Sequence, residues 1–447
     1  GMLFQEFYKF EVLVKNNNWF EVDCMANVFI ALYNFGRRKE DFNAMPPFFE
    51  AFLKGLQNAG NNVLCYQHKT VGREFKGQIP NEYKEKLIAF CPDLCVLFCN
   101  NFWDISQIVD CPIVIYDVDS PLLYKGKNFL KENLDRYLFV VNQTAGQELL
   151  QEIFEVKENQ ICLIPFFTEI QHIEIEKTHN ISFLGTNWLW KGYNFSHEFL
   201  QRNPSEEDIK IARNVIEKFT ELPFYPSHEI IYQGHMQPQK SLNLGDLNRA
   251  AHEISGLRRI NYLRSIVDLD LEIRGAYWNI DCMKYFPEVE LCYNRASVLT
   301  LKENEDFYNH SRISLSTNHI QAQNGFSFRV CDIMASGACL MTEEKADIRN
   351  YFPKVKLPTF SSEMELREKC KILLSDESRR CEIVSASNEA IEQGYRFRHV
   401  LRRLEEFTLL DLHSDELGEL ELFSDEDPAN KKIEKKKRRL QRSISRK

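Results

Sequence analysis

The chain has 447 residues, 44% hydrophobic and 27% charged, with 56 Lys and Arg against 65 Asp and Glu. That suits two or three globular domains and excludes a disordered or fibrous chain. No run approaches the roughly 18 uninterrupted apolar residues of a membrane-spanning helix, the first residues lack the layout of a signal peptide, and the 13 cysteines include no Cys-x-x-Cys pair, so a cytoplasmic protein with reduced thiols is expected.

In chain order, residues 3–25 read as an added hairpin. The apolar run Asn27–Tyr33, a polar loop Gly36–Asn43, a helix from Pro47 to Asn58 and a strand Val63–Tyr66 then make a β–loop–α–β unit. Leu94–Cys99, Ile113–Tyr116, Tyr137–Val141 and Ile161–Ile164 continue the rhythm as short apolar runs suited to a parallel sheet buried on both faces. A second series begins at Ile181–Gly185 and runs through Leu271–Arg274, Ser297–Leu301, Ile313–Ser316 and Ala338–Met341, with helices at Arg258–Val267, Phe328–Ser336, Ser362–Leu374 and Val384–Phe407. The predicted fold class is therefore α/β, with two Rossmann-like domains, 1–168 and 169–410, whose strand ends face a common cleft. Residues 187–256 are too long for a plain connection and read as a helical insertion, with Ser205 to Asp208 resembling a capping box.

Residues 411–447 are predicted to form a charged tail. Eight acidic residues lie between Asp411 and Asp427 without Lys or Arg, and ten basic residues lie in Lys431–Lys447 against Glu434 alone. The net charge of -9 thus conceals a bipolar end to an acidic body. Ile433, Leu440 and Ile444 share one side of a basic helix, a pattern that suits either an anionic membrane surface or the acidic stretch before it. No nucleic-acid partner is expected.

The chemistry concentrates in Asn324-Gly-Phe-Ser-Phe-Arg-Val-Cys-Asp-Ile-Met-Ala-Ser-Gly337. Ser327 is placed to cap a helix, Gly337 to end it with a left-handed residue, and Gly325 to let a phosphate approach the backbone. Arg329, in the first helical turn, needs an anion, either Asp332 one turn on or a bound diphosphate. The absence of Gly-x-Gly-x-x-Gly disfavours a simple NAD enzyme, there is no Walker-type phosphate loop, and without a His-Glu-x-x-His nothing supports a zinc hydrolase.

Asn324-Gly325-Phe326-Ser327 and Asp332-Ile-Met334-Ala335-Ser-Gly337 resemble the GT-B glycosyltransferases, in particular the group 1 branch with CgeB-like proteins. Phe328-Arg329-Val330-Cys331-Asp332 nearly reproduces that branch's Phe-Arg-x-x-Glu. The resemblance implies a GT-B fold in which Asp332 takes the place of the glutamate on the donor ribose, the Gly325 loop faces the donor diphosphate, and Asn324 replaces a family glutamate. It also implies that Phe183-Leu184-Gly185-Thr186 is the donor domain's first strand and phosphate-facing turn, with Arg258 and Arg259, or Lys191, as the basic groups beside it. The cofactor expectation is a nucleotide-sugar co-substrate without an obligatory metal. The acceptor, a glycan, a lipid-linked group or a protein, falls to the first domain, and a peripheral position at the inner membrane face goes with a lipid-linked one.

Asp117-Val-Asp119 follows the strand Ile113–Tyr116. As a metal-binding Asp-x-Asp it is unspecific, because Asp268-Leu-Asp270 has the same pattern, so Asp117 or Asp119 is read either as a base toward an acceptor hydroxyl or as a cap on the Ser-Pro bend. Cys91, Cys95 and Cys99 read as buried thiols. Two other functions fit the pattern: a non-catalytic nucleotide- or sugar-binding protein on a degenerate scaffold, and a sugar-nucleotide epimerase.

Overall fold

Apolar runs without polar alternation must be covered on both faces, and six of them pair in parallel in the first sheet. The computed structural model describes residues 25–424 except 34–44, 69–80, 99–102, 122–123, 125–126, 192–194, 222–243 and 297. Residues 3–24 of the expected hairpin and the basic segment Lys431–Lys447 lie outside the described residues. The first sheet contains β1 (Asn27–Tyr33), β2 (Asn62–His68), β3 (Leu94–Phe98), β4 (Ile113–Tyr116), β5 (Tyr137–Val141), β6 (Ile161–Leu163) and, from the end of the chain, β12 (Leu420–Ser424), in the order β12-β2-β1-β3-β4-β5-β6. The second contains β7 (His179–Leu184), β8 (Leu271–Arg274), β9 (Ser311–Ser316), β10 (Cys339–Glu343) and β11 (Thr359–Phe360), ordered β11-β10-β9-β7-β8 and also parallel. These are two Rossmann-like domains.

One apolar cluster spans both domains. Phe48 on the helix Pro47–Asn58 lies 6.0 Å from Phe328 of the second domain and 5.4 Å from Phe166 near the crossing between them. The chain crosses twice, at Thr168–Ile170 and Tyr395–Phe397, and the crossings are tied together. Thr168 donates its amide to Tyr395 O at 3.0 Å, and Arg396 Nη1 donates to Thr168 O and Ile170 O. This return explains why the expected helix Val384–Phe407 is two, Glu377–Gly394 and Phe397–Thr408. Phe397 then packs on Phe52 of the first domain, 5.4 Å away.

Three other expectations change. Ser297–Leu301 is no strand: Thr300 accepts from the Glu303 amide, and that capping box starts the helix Leu301–Asn309. Gly337 does not adopt the left-handed region, and the helix before it ends on extended Ser336. The acidic half of the expected tail joins the fold: Leu412 is buried, its carbonyl accepts from Asn61 Nδ2 at 2.7 Å, and β12 lies beside β2. Its access to that edge depends on Gly418, where an added Cβ would lie 1.9 Å from Asn61 O. Gly418→Ala is therefore expected to cost about 2 kcal/mol through backbone displacement, read as a lower urea midpoint.

The insertion contains the helices Phe195–Leu200, Glu206–Glu221 and Leu244–Arg264. Ser205 Oγ accepts from the Asp208 amide, as its capping pattern implied. Phe195, Phe199, Ala250 and Ala251 belong to the same apolar cluster as Phe139 and Leu150 of the first domain, so the insertion packs toward that domain.

Candidate active site

In parallel sheets the carboxyl ends of the strands point their loops the same way, and here the two sets of loops meet. From the first domain come Asp117 and Asp119 after β4 and Asn142–Thr144 after β5. From the second come Gly185–Thr186 after β7, Thr317–Gly325 after β9 and Glu343–Asp347 after β10. Gln321 Nε2 donates to Asp119 Oδ1 across the junction at 2.8 Å.

The helix Leu244–Arg264 begins roughly four turns before Arg258. Its free N-terminal amides therefore stay away from the β7 turn, and the side chains of Arg258 and Arg259 reach the strand ends instead. Arg259 is buried, its guanidinium 3.2 Å from the centre of the Trp188 ring, donating to Thr317 Oγ1 (2.8 Å), Thr317 O (3.3 Å) and Thr186 O. No carboxylate pairs with it among the described residues. Burial, and next the charge of Arg329, pull its pKa well below the usual arginine range. Arg258 Nη2 bonds Glu343 Oε1 at 2.7 Å, and the other oxygen of Glu343 accepts from the Asn318 amide. Lys345 is buried beside them, pushed down to about 8 by burial and by Arg258 against the pull of Glu343. Arg258, Arg259 and Lys345 thus share one nearby carboxylate, Glu343, and Arg329 adds its charge beside Arg259.

The glycine turn after β7 is closed upon itself. Gly185 donates its amide to Arg274 O at 3.0 Å, and its carbonyl accepts from Trp278 Nε1 at 2.7 Å. Gly275, at φ +123°, comes so close that a Cβ there would lie 2.1 Å from Gly185 O. Gly185 and the Thr186 carbonyl therefore shape the Arg259 seat, with no Gly185 amide turned outward. Lys191 ends the short 3₁₀ turn Trp188–Lys191, and its side chain lies outside the described part of the chain.

In the segment 324–332, Asn324 Nδ2 donates to Thr144 Oγ1 at 3.0 Å, and the Gly325 amide donates to Gln143 Oε1 at 3.2 Å. Phe326 is core, packed on Tyr351 and Phe352. Ser327 donates its amide to Asn318 Oδ1 and accepts from Arg329 Nη1 at 3.1 Å. Arg329, half-buried, makes no ion pair among the described residues. Asp332 turns toward the domain crossing: it bonds Thr168, and its Oδ2 has no partner among the described residues. Burial raises its carboxyl to about 7 against Thr168, Arg329 and Arg396.

Residues 258–406 match the family model described as glycosyl transferase-like. That third of the chain contains Arg258, Arg259, Asn324 and Asp332, and the two facing Rossmann-like domains are the GT-B arrangement expected from the motif. The chain matches no curated relative. Similar solved structures include a glycosyltransferase from Rickettsia africae (10% identity, 86% of this chain and 98% of that one, TM-score 0.48). Sucrose-phosphate synthase from Thermosynechococcus elongatus shows 12% identity over 86% of this chain and 98% of that one, TM-score 0.46. Anabaena HepE in complex with UDP and glucose shows 10% identity over 86% of this chain and 99% of that one, TM-score 0.47.

Asp117 is buried, its Oδ2 accepting from the Tyr124 hydroxyl and its main-chain carbonyl from Asn142 Nδ2 at 2.7 Å. Burial raises its carboxyl well above the ordinary range, against the Tyr124 bond. Asp119 is exposed at the junction. Gln143, Thr144, Thr317, Asn318, Glu343, Lys345 and Asp347 escaped the motif-led reading. Each follows the carboxyl end of a strand, and that position was the available signal. Among the described residues no helix is long and apolar enough to cross a membrane.

Proposed function

We propose that this protein is a nucleotide-sugar-dependent glycosyltransferase. The observation that supports it is the pair Arg259 and Arg329, two mutually repelling guanidiniums that make no ion pair among the described residues, at the carboxyl edge of the second sheet. Burying unpaired positive charge is costly, and a diphosphate offsets the cost with two charge-assisted, fork-shaped contacts. In this reading Arg258 and Lys345 add to the field, and the cluster stabilises the leaving diphosphate as its charge grows, without an obligatory metal. Asp332, the ribose-binding candidate by motif, is buried toward the domain crossing and would meet a ribose only if its carboxyl turned out of the crossing into the cleft. The Phe328-Arg329-x-x-Asp332 pattern supports the CgeB-like branch. Asp119, exposed in the junction, suits a base toward the acceptor hydroxyl better than Asp117, whose carboxyl is sealed against Tyr124. The acceptor, glycan, lipid-linked group or protein, approaches from the first domain. A cytoplasmic protein that meets the membrane through Lys431–Lys447 would suit the lipid-linked case.

A thermal-shift panel of UDP, GDP, ADP, CMP and dTDP tests this. One diphosphate at about 100 times its Kd should add about 2.7 kcal/mol of stability, and CMP should add little. A flat response to all five at millimolar concentration would reject the reading.

A further inference from the structure

Three consecutive residues after β5 fasten the first domain onto the loop that carries Gly325. Thr144 donates through its amide and its hydroxyl to the two oxygens of Asp347, both at 2.9 Å. The same hydroxyl accepts from Asn324, and Asp347 in turn donates its amide to Asn324 O at 3.0 Å. Tyr351 donates to Asn142 O at 3.2 Å, and the Gly325 amide donates to Gln143 Oε1 at 3.2 Å. Asp347 is fully buried and Gln143 only 6% exposed, while Thr144 and Asn324 are half-buried at its rim.

Helix geometry explains why the contact holds. Gln143 stands at the N-cap of the helix Thr144–Phe154 and makes no side-chain cap bond. The carboxylate of Asp347 supplies the cap from the other domain, where the helix dipole favours an anion. The contact also leaves no room. A Cβ added to Gly325 would lie 2.6 Å from Gln143 Cβ, so no phosphate oxygen fits between that glycine and the first domain.

We infer that this is a self-closed state: the Gln143 carboxamide oxygen stands where an oxygen of the donor diphosphate would meet the Gly325 amide, and the donor seats there only after Asn142–Thr144 releases the loop. The inference rests on the functional reading above. It makes the interdomain contact an autoinhibitory latch, in which apparent donor affinity is the intrinsic affinity reduced by the fraction of molecules unlatched.

Two variants release the latch by different chemistry. Gln143→Ala removes the competing oxygen and the side chain beyond Cβ, so the first domain no longer bonds the Gly325 amide. Asp347→Asn sets an NH₂ group against Thr144 donors, so one bond becomes a repulsion. If nine molecules in ten are latched, each variant should bind the nucleoside diphosphate about tenfold more tightly by calorimetry. Scattering of the unliganded variants should give a larger radius of gyration than the wild type, and melting curves verify that each is folded. Unchanged or weaker binding in both variants, beside measurable wild-type binding, overturns the latch alone. If neither the wild type nor the variants bind any nucleotide of the panel, the functional reading falls and the latch falls with it.

Discussion

Arg329→Ala should weaken binding of the cognate nucleoside diphosphate roughly 30- to 150-fold while leaving the unliganded protein as stable as before or slightly more so. The loss corresponds to about 2–3 kcal/mol, the scale of a hydrogen bond to a charged group. The sign on the unliganded protein is the informative part. Arg329 gives the fold one side-chain bond, to Ser327 Oγ, and it repels the buried Arg259. Its attraction for Asp332 counts for little below pH 7, where that carboxyl keeps its proton, so the comparison belongs at about pH 6. A purely structural arginine would lower the melting midpoint when removed, whereas one kept for an anion relieves repulsion. Arg329→Lys should fall between, because the charge survives but the two-pronged geometry does not. Calorimetry with the nucleotide found by the panel, together with melting of the unliganded variants, measures both. Wild-type affinity in Arg329→Ala would remove Arg329 from the donor site.

The second large effect concerns Asp332 and pH. Its carboxyl lies among Thr168, Tyr308, Arg329 and Arg396, and burial outweighs the bond and the cations to raise it to about 7. The folded protein therefore keeps this proton up to about pH 7, while the unfolded chain releases it near pH 4. Between those values the native state binds more protons, so stability falls as pH rises and levels off above pH 7. Asp332→Asn, isosteric and neutral, should gain little at pH 4 and progressively more toward pH 8. At about 1.4 kcal/mol per pH unit the gain is capped near ~4 kcal/mol. Asp117, also buried and raised, keeps part of the slope in the variant. Urea midpoints of both proteins across pH 4–8 test the difference; parallel curves would mean that Asp332 is ionised throughout.

The strands were legible because they are local. Ile113–Tyr116 and Tyr137–Val141 are runs that only a doubly covered sheet can bury, and both sit where the apolar pattern put them. Ser297–Leu301 misled because an apolar pair before a helix looks like a strand end until the Thr300 and Glu303 cap is recognised. The tail misled because composition does not record edges: Glu419-Leu-Glu-Leu422 alternates acidic and apolar residues, as an edge strand with one wet face does, within a stretch whose charge suggests solvent.

By itself the sequence determined the α/β class, the two-domain rhythm and the segment 324–337, since periodicity, turn residues and a compact motif are properties of neighbours along the chain. Only the tertiary structure decided which groups share a charge environment. Arg259 and Arg329 come from different elements, and their mutual repulsion exists only once folding sets the half-buried Arg329 beside the buried Arg259. The length that opened the reading as two or three domains becomes two, laced by a chain that crosses back to lay its last described strand on the first sheet. The net charge of -9 counts every Lys, Arg, Asp and Glu alike, whereas the cost of the positive charge at the strand ends depends on burial, which a sum cannot register.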